Sequence, residues 1–379
     1  MNEQKKILFT MLEAGAGHKM PALAIRDAIE KLYPGRFKMD VVDFFKESGA
    51  LTNDRVMKGV WDYALAHPIV ARTVYALIEF FHLNPRTYLN TMLAEVKKKG
   101  TKYISEYKPD MIVSTQFYCL PASSMARDWL KLPIKVIGFV TDPFCGYSVW
   151  ADRGADFILV SSERAKQMLT RRKVNPDRVK IFQFPVNQKF FNQTRTREEI
   201  RKEYNINPAY KTVLTTAGGQ GISNIGNFMI KMYKKGLPLN IIAVCGKNEK
   251  LKNVLEKLKK DTPSATNLIP IGFTTSMNEL LSISDLNIAK AGASTTFEAL
   301  FMDNPIIFTH YAAPPEKPNI DFCIENKVGW YTPGEKAFFR VLDQVLNTGI
   351  LDEYKKNLKS LKLHSGSEDI AKFVISQLD

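Results

Sequence analysis

The chain has 379 residues, 45% of them hydrophobic and 24% charged, which are the proportions of a soluble globular protein with room for two domains. Lys and Arg outnumber Asp and Glu by 53 to 39. That excess favours an anionic partner, and without any nucleic-acid recognition motif it points to phosphorylated substrates or an acidic membrane surface rather than nucleic acid. No apolar run is long enough to span a bilayer, the N-terminal run is broken by Glu13 too early for a signal peptide, and the four cysteines form neither a Cys-x-x-Cys pair nor a zinc spacing. The expected setting is therefore a reduced cytoplasm.

Apolar runs at 7–12, 37–42, 111–114, 134–140 and 157–160 read as strands. Helical periodicity lies between several of them, at 21–32, 120–130 and 162–173. After a charged, proline-bearing stretch at 185–208 the alternation restarts, with strands at 212–216, 240–244, 268–271, 286–289 and 306–308. Such alternation predicts an α/β protein of two doubly wound parallel sheets. The domains would run from 1 to 190 and from 205 to 350, with residues 351–379 as closing helices that pack back on the N-terminal domain.

One connection is far too long for a simple crossover. Residues 44–110 carry an insertion whose helical stripes include Trp61, Phe80 and Phe81. Arg55, Lys58, Arg72, Arg86, Lys97, Lys98, Lys99 and Lys102 are interleaved with them. A basic, aromatic-rich amphipathic surface suits peripheral binding to an anionic membrane; a helical subdomain with its own core is the alternative.

Three glycine turns each stand between a strand and a helix. The first is Gly15-Ala16-Gly17-His18, the second Gly218-Gly219-Gln220-Gly221, and the third Ala291-Gly292-Ala293-Ser294-Thr295-Thr296-Phe297-Glu298. Glycine admits a ligand close to the backbone, and a helix N-terminus offers free N–H donors and a positive dipole end. Two such turns in the second half suggest a diphosphate ligand carrying a sugar or nucleoside. Neither has the spelling of an NTPase loop or a dinucleotide fingerprint. His18, between a strand and a helix, is placed to move a proton near neutral pH.

Together these segments resemble the inverting glycosyltransferases of family GT28. That family includes monogalactosyldiacylglycerol synthase, processive diacylglycerol glucosyltransferase and the lipid-linked N-acetylglucosamine transferase of peptidoglycan synthesis. The resemblance runs over nearly the whole chain. It rests on Gly15-Ala16-Gly17-His18, Pro109-Asp110, Val140-Thr141-Asp142, Gly218-Gly219-Gln220-Gly221 and, most specifically, Lys290-Ala291-Gly292 through Glu298-Ala299. It implies a GT-B fold, two Rossmann-like domains facing a central cleft.

The resemblance also implies roles. A UDP-sugar would be a co-substrate of the C-terminal domain, with no cofactor and no metal. Gly218, Gly219, Gln220, Gly292, Ser294 and Thr295 would hold the diphosphate, and Glu298 the ribose. Glu316 and Asn319 would lie near the sugar hydroxyls, and Phe273 beside the uracil. The acceptor, a lipid such as diacylglycerol, would meet Gly15, Gly17, Gln116 and Tyr147, the last two standing where the diacylglycerol branch commonly has histidine. Candidates for the base are His18, then Asp142, then Glu13. A non-lipid acceptor, a nucleotide-sugar 2-epimerase and a non-catalytic binding protein are the rival readings.

Overall fold

In the computed structural model, residues 4–13, 15–81, 84–216 and 225–378 are described. The chain forms two compact units. One comprises Met1–Gln188, Ala313–Pro315 and Ser365–Asp379, the other Lys189–Ala312 and Glu316–His364.

The first unit is built on β1 (Lys5–Met11), β2 (Phe37–Asp43), β3 (Met111–Ser114), β4 (Lys135–Phe139), β5 (Phe157–Val160) and β6 (Val179–Ile181). They form one parallel sheet in the order β2-β1-β3-β4-β5-β6. Strands covered on both faces need near-continuous apolar runs, and Ile7, Leu8 and Phe9 of β1 are completely buried. The sheet of the second unit takes β7 (Lys211–Thr216), β8 (Leu239–Val244), β9 (Asn267–Ile271), β10 (Leu286–Lys290), β11 (Ile306–His310) and β12 (Gly329–Tyr331) in the order β12-β11-β10-β7-β8-β9, again all parallel. The edge strands β6 and β12, three residues each, are too short to show periodicity in the sequence.

Strand order reverses direction between β1 and β3 in the first sheet and between β7 and β10 in the second. Ligands of open α/β sheets bind beyond the strand C-termini at these points. The turn holding His18 follows β1, and the Gly292 turn follows β10, which pairs with β7.

Helix α1 (Ala16–Leu32) begins five residues before the expected periodic stretch at 21–32. Gly15, its N-cap, has φ 106°, a conformation that a residue with a Cβ rarely adopts. The insertion resolves mainly into α2 (Leu51–Ala66), α3 (Pro68–Phe80) and α4 (Ala94–Tyr107). Phe44, Phe45, Met57, Leu89, Leu93, Val96 and Ile104 join the core of the first unit, so the insertion is not a separately cored subdomain. Helix α5 (Cys119–Leu130) follows β3, and α6 (Glu163–Arg171) follows β5.

In the second unit α7 (Ile225–Lys234) and α8 (Ala293–Phe301) follow the switch-point strands β7 and β10. Residues 351–364 differ from the expectation that the closing segment returns to the N-terminal domain. Helix α9 (Ile350–Ser360) belongs to the second unit: Leu351 is in its core and Tyr354 stacks on Trp330 at 3.9 Å. Helix α10 (Ser367–Ser376) belongs to the first.

Candidate functional site

In the first unit, β1, β3 and β4 end together around His18. Its Nδ1 lies 2.8 Å from the Thr115 carbonyl oxygen and 3.0 Å from Thr141 Oγ1. A carbonyl only accepts, so Nδ1 carries the proton and Nε2 keeps a free lone pair. Thr115 Oγ1 donates back to the His18 carbonyl at 2.8 Å, which fixes the turn from both sides. The Phe117 ring stands edge-on at 6.0 Å. Loss of hydration lowers the imidazole pKa to about 4, against a smaller upward pull from the Thr115 hydrogen bond. The ring is therefore neutral across the physiological range, with its acceptor nitrogen available. Thr115 and Thr141, which set this tautomer, close two of the apolar strand runs, but nothing in the sequence marked them as partners of His18.

The other base candidates have different surroundings. Glu13 is exposed and pairs with Lys19 at 2.9 Å, the ordinary surface use of a carboxylate. Asp142 accepts from Trp150 Nε1 at 3.2 Å. Gln116 is buried and turns its Oε1 onto the backbone N–H groups of Tyr118 (2.8 Å) and Cys119 (3.0 Å), at the start of α5. Tyr147 is half-buried, with its ring edge-on to Tyr75 at 5.7 Å. Burial raises its phenol pKa, helped by the neighbouring Cys145. Gly17 is exposed in the first turn of α1, with open space where a Cβ would stand.

In the second unit the chain after β10 turns through Gly292 into α8. A Cβ on Gly292 would come within 3.3 Å of Lys290 Nζ. Ser294, in the first turn, is buried with no hydrogen bond to its hydroxyl, and Thr295 beside it is half-buried. Glu298 follows one turn later, 9% exposed. Desolvation raises its carboxyl to about 7, although Lys189 pulls the other way. The Ser294 hydroxyl and the desolvated Glu298 carboxyl, one turn apart on α8, are groups of the kind that a phosphate and a sugar diol would satisfy.

Glu316 and Asn319 brace this turn. Glu316 pairs with Lys290 at 2.5 Å and accepts from the Ala312 N–H at 2.7 Å. Asn319 donates to the Ala291 carbonyl at 2.8 Å, and its Oδ1 is buried without a partner. Phe273 stands apart, 69% exposed after β9 at the sheet edge. Gly218, Gly219 and Gln220 lie outside the described residues. Among the described residues no cluster of His, Cys, Asp and Glu is suited to a metal, and no helix is long and apolar enough to cross a membrane.

The insertion carries an uncovered apolar face. On α3, Ile69, Val74, Leu77 and Phe80 are 48–78% exposed, and Phe81 beyond it is 62% exposed. On α2, Val56, Val60 and Tyr63 are each more than half exposed, and Trp61 is partly so. The basic residues divide. Arg55 and Lys98 are exposed. Lys97 donates to Asn90, and Lys99 to Glu95 and the Gly49 carbonyl. Lys58 and Arg86 turn inward, to Asp43 and Asp54 and to Asp152 and Asp128 respectively.

Comparison with known proteins fits this division. Residues 18–186 match the monogalactosyldiacylglycerol (MGDG) synthase family, and residues 212–315 the glycosyltransferase family 28 C-terminal domain. By these matches the chain is a glycosyltransferase. It is 25% identical to monogalactosyldiacylglycerol synthase 2 of Arabidopsis thaliana, over 97% of this chain and 80% of that protein. It is 26% identical to the processive diacylglycerol beta-glucosyltransferase of Bacillus licheniformis, over the whole chain and 96% of the relative. Among solved structures, MurG of Acinetobacter baumannii superposes with a TM-score of 0.60 at 14% identity, covering 98% of this chain and 99% of MurG. That likeness shows the fold, the two-sheet GT-B arrangement. The MGDG synthase match begins at His18, and the family 28 match contains the whole β10–α8 turn.

Proposed function

We propose that this glycosyltransferase moves a hexose from a UDP-sugar to diacylglycerol, with inversion at the anomeric carbon and without a metal, at the cytoplasmic face of an anionic membrane. The observation that carries the donor assignment is the β10–α8 turn, with its unpartnered Ser294 hydroxyl and poorly solvated Glu298 one turn apart on a helix N-terminus. Ser294, Thr295 and the first N–H groups of α8 hold the diphosphate; Glu298 takes the ribose hydroxyls. Lys290 and Glu316 keep the turn in shape as the leaving diphosphate gains charge.

His18 serves the acceptor. As the diacylglycerol hydroxyl oxygen attacks the anomeric carbon, its proton passes to Nε2. The bond from that carbon to the diphosphate breaks, and UDP leaves with the electron pair. The Nδ1–H bond to the Thr115 carbonyl holds the tautomer that this transfer requires. The diacylglycerol acceptor is supported by the two relatives, both named for glycolipid products or diacylglycerol, and by the uncovered apolar face on α2 and α3, which suits an enzyme whose acceptor lies in a bilayer.

The test is incubation with a panel of UDP-sugars and diacylglycerol in anionic vesicles, with products read by mass spectrometry and anomeric configuration by NMR. A hexosyl-diacylglycerol of inverted configuration is expected. Transfer only to water-soluble acceptors would overturn the lipid assignment, and conversion of a UDP-sugar incubated alone would favour an epimerase.

A further inference from the structure

Helix α3 has two sides with different surroundings. Its outer side presents Ile69, Val74, Leu77 and Phe80. Its inner side holds the segment 142–150, which contains Asp142, Tyr147 and Trp150. Glu79 lies between Leu77 and Phe80 in sequence but faces inward. Its Oε1 accepts from the Ser148 backbone N–H at 2.5 Å and from the Ser148 hydroxyl at 2.7 Å. Its Oε2 pairs with Arg172 at 2.7 Å, and Tyr75, one turn earlier, meets the Tyr147 ring.

Ser148, Val149 and Trp150 form a single buried turn. Trp150 donates to Asp142, and its ring stands 5.9 Å from Phe117, the residue against the His18 imidazole. One carboxylate thus joins the exposed apolar helix to the chain beside the candidate base. A carboxylate receiving two donors from one residue and an arginine on its other oxygen defines both position and orientation.

We propose that Glu79 is a positioning residue that couples the seating of α3 on a lipid surface to the geometry of the segment 142–150. This rests on the membrane reading above. When the outer side of α3 is held by lipid, Glu79 is held with it, and Ser148 and Trp150 are fixed in the arrangement that presents Asp142 and His18 to the acceptor. Away from lipid, α3 has few buried anchors of its own, and the segment loses a fixed support. The enzyme would then turn over an acceptor in a vesicle faster than the same headgroup on a dispersed short-chain lipid.

The test is hydrogen exchange by mass spectrometry on the full chain, with and without anionic vesicles, for the wild type, Glu79→Ala and Ser148→Ala. In the wild type, vesicles are expected to slow exchange in peptides covering both 68–81 and 142–150, by at least about fivefold. Both variants should keep the vesicle response at 68–81; at 142–150 Glu79→Ala should lose it, and Ser148→Ala, which keeps the backbone N–H to Glu79, should weaken it. Ser148→Ala leaves the Glu79–Arg172 pair in place, so it covers the case in which Glu79→Ala fails to fold. With UDP-sugar supplied, the preference for vesicle over dispersed acceptor should fall about tenfold in the variants through kcat, with the UDP dissociation constant unchanged. A wild-type response at 68–81 with none at 142–150, or an equal response at 142–150 in the variants, overturns the coupling and leaves the membrane reading intact. No response at 68–81 overturns both.

Discussion

A single hydrogen bond decides how His18 behaves. Because the Thr115 carbonyl can only accept, Nδ1 is the protonated nitrogen, and Nε2 is left to take a proton. His18→Ala is expected to lower turnover by about two to four orders of magnitude while leaving UDP affinity within about twofold, as calorimetry would show. A base must be unprotonated to act, and this imidazole titrates near 4 rather than 6.5. The acid limb of kcat, measured with the UDP-sugar saturating so that Glu298 does not contribute, should therefore lie near pH 4; a limb at pH 6–7 that survives in His18→Ala would transfer the role to another group.

Glu298 titrates in the opposite direction. Removing its hydrogen bonds to a ribose should cost about 1.5–3 kcal/mol, so Glu298→Ala should weaken UDP roughly ten- to hundredfold. Its effect on stability also has a definite sign. The folded carboxyl is raised from an ordinary 4.5 to about 7. Between those values the unfolded chain has released a proton that the folded chain still holds, so wild-type stability falls as pH rises through the window and the cost is constant above it. Thermal melts of Glu298→Gln should coincide with wild type near pH 4 and gain on it up to pH 7. A constant difference across this range would mean that the carboxyl is not desolvated.

At the scale of elements, α3 separates two kinds of apolar residue that look alike in sequence. Ala71 is buried, while Leu77 and Phe80 are 50% and 77% exposed. Leu77→Glu with Phe80→Glu should therefore change stability by no more than about 0.5 kcal/mol per site, yet lower vesicle affinity at least about tenfold in co-sedimentation. Retained binding would place the lipid contact elsewhere. Reversing Lys97, Lys98 and Lys99 should weaken binding less, because Lys97 and Lys99 already serve Asn90, Glu95 and Gly49. Most strands were legible because parallel strands covered on both faces must be continuous apolar runs; β3 and β5 appear with the same limits in sequence and structure. The turns at Gly15 and Gly292 were legible for a similar local reason. Periodicity could not tell which side of an amphipathic helix meets solvent, nor that Arg86 would serve Asp152 or that Gln116 would bond the chain at the start of α5. Those depend on which strand ends the topology brings together. The same limit hid the pairing of Thr115 and Thr141 with His18, and the role of Glu79.

At the scale of the whole molecule, the order of the chain and the order of its units differ. The last helix, α10, completes the first unit although the chain has by then passed through the second. Ile370, Ala371, Val374 and Ile375 are buried at 3% exposure or less, and Phe373 meets Phe157 at 5.1 Å and Phe182 at 5.4 Å. Ser365 both accepts from the Val186 N–H and donates to its carbonyl, at 2.9 and 2.7 Å. Lys31 pairs with Glu368 at 2.7 Å. Three large apolar side chains at about 1.5–3 kcal/mol each give roughly 5–9 kcal/mol, comparable with the about 5–15 kcal/mol that stabilises a whole domain. Truncation after His364 should therefore unfold the first unit and spare the second, whose core holds α9 instead. Differential scanning calorimetry should show one unfolding transition lost or shifted down by more than about 10 °C, while the truncated chain still binds UDP. Supplying residues 365–379 through a flexible linker from the N-terminus should restore the transition, because α10 packs on α1 and needs proximity rather than its native connection. A truncated chain that melts like the wild type would show that α10 contributes little, and that the sheet of the first unit is complete without it.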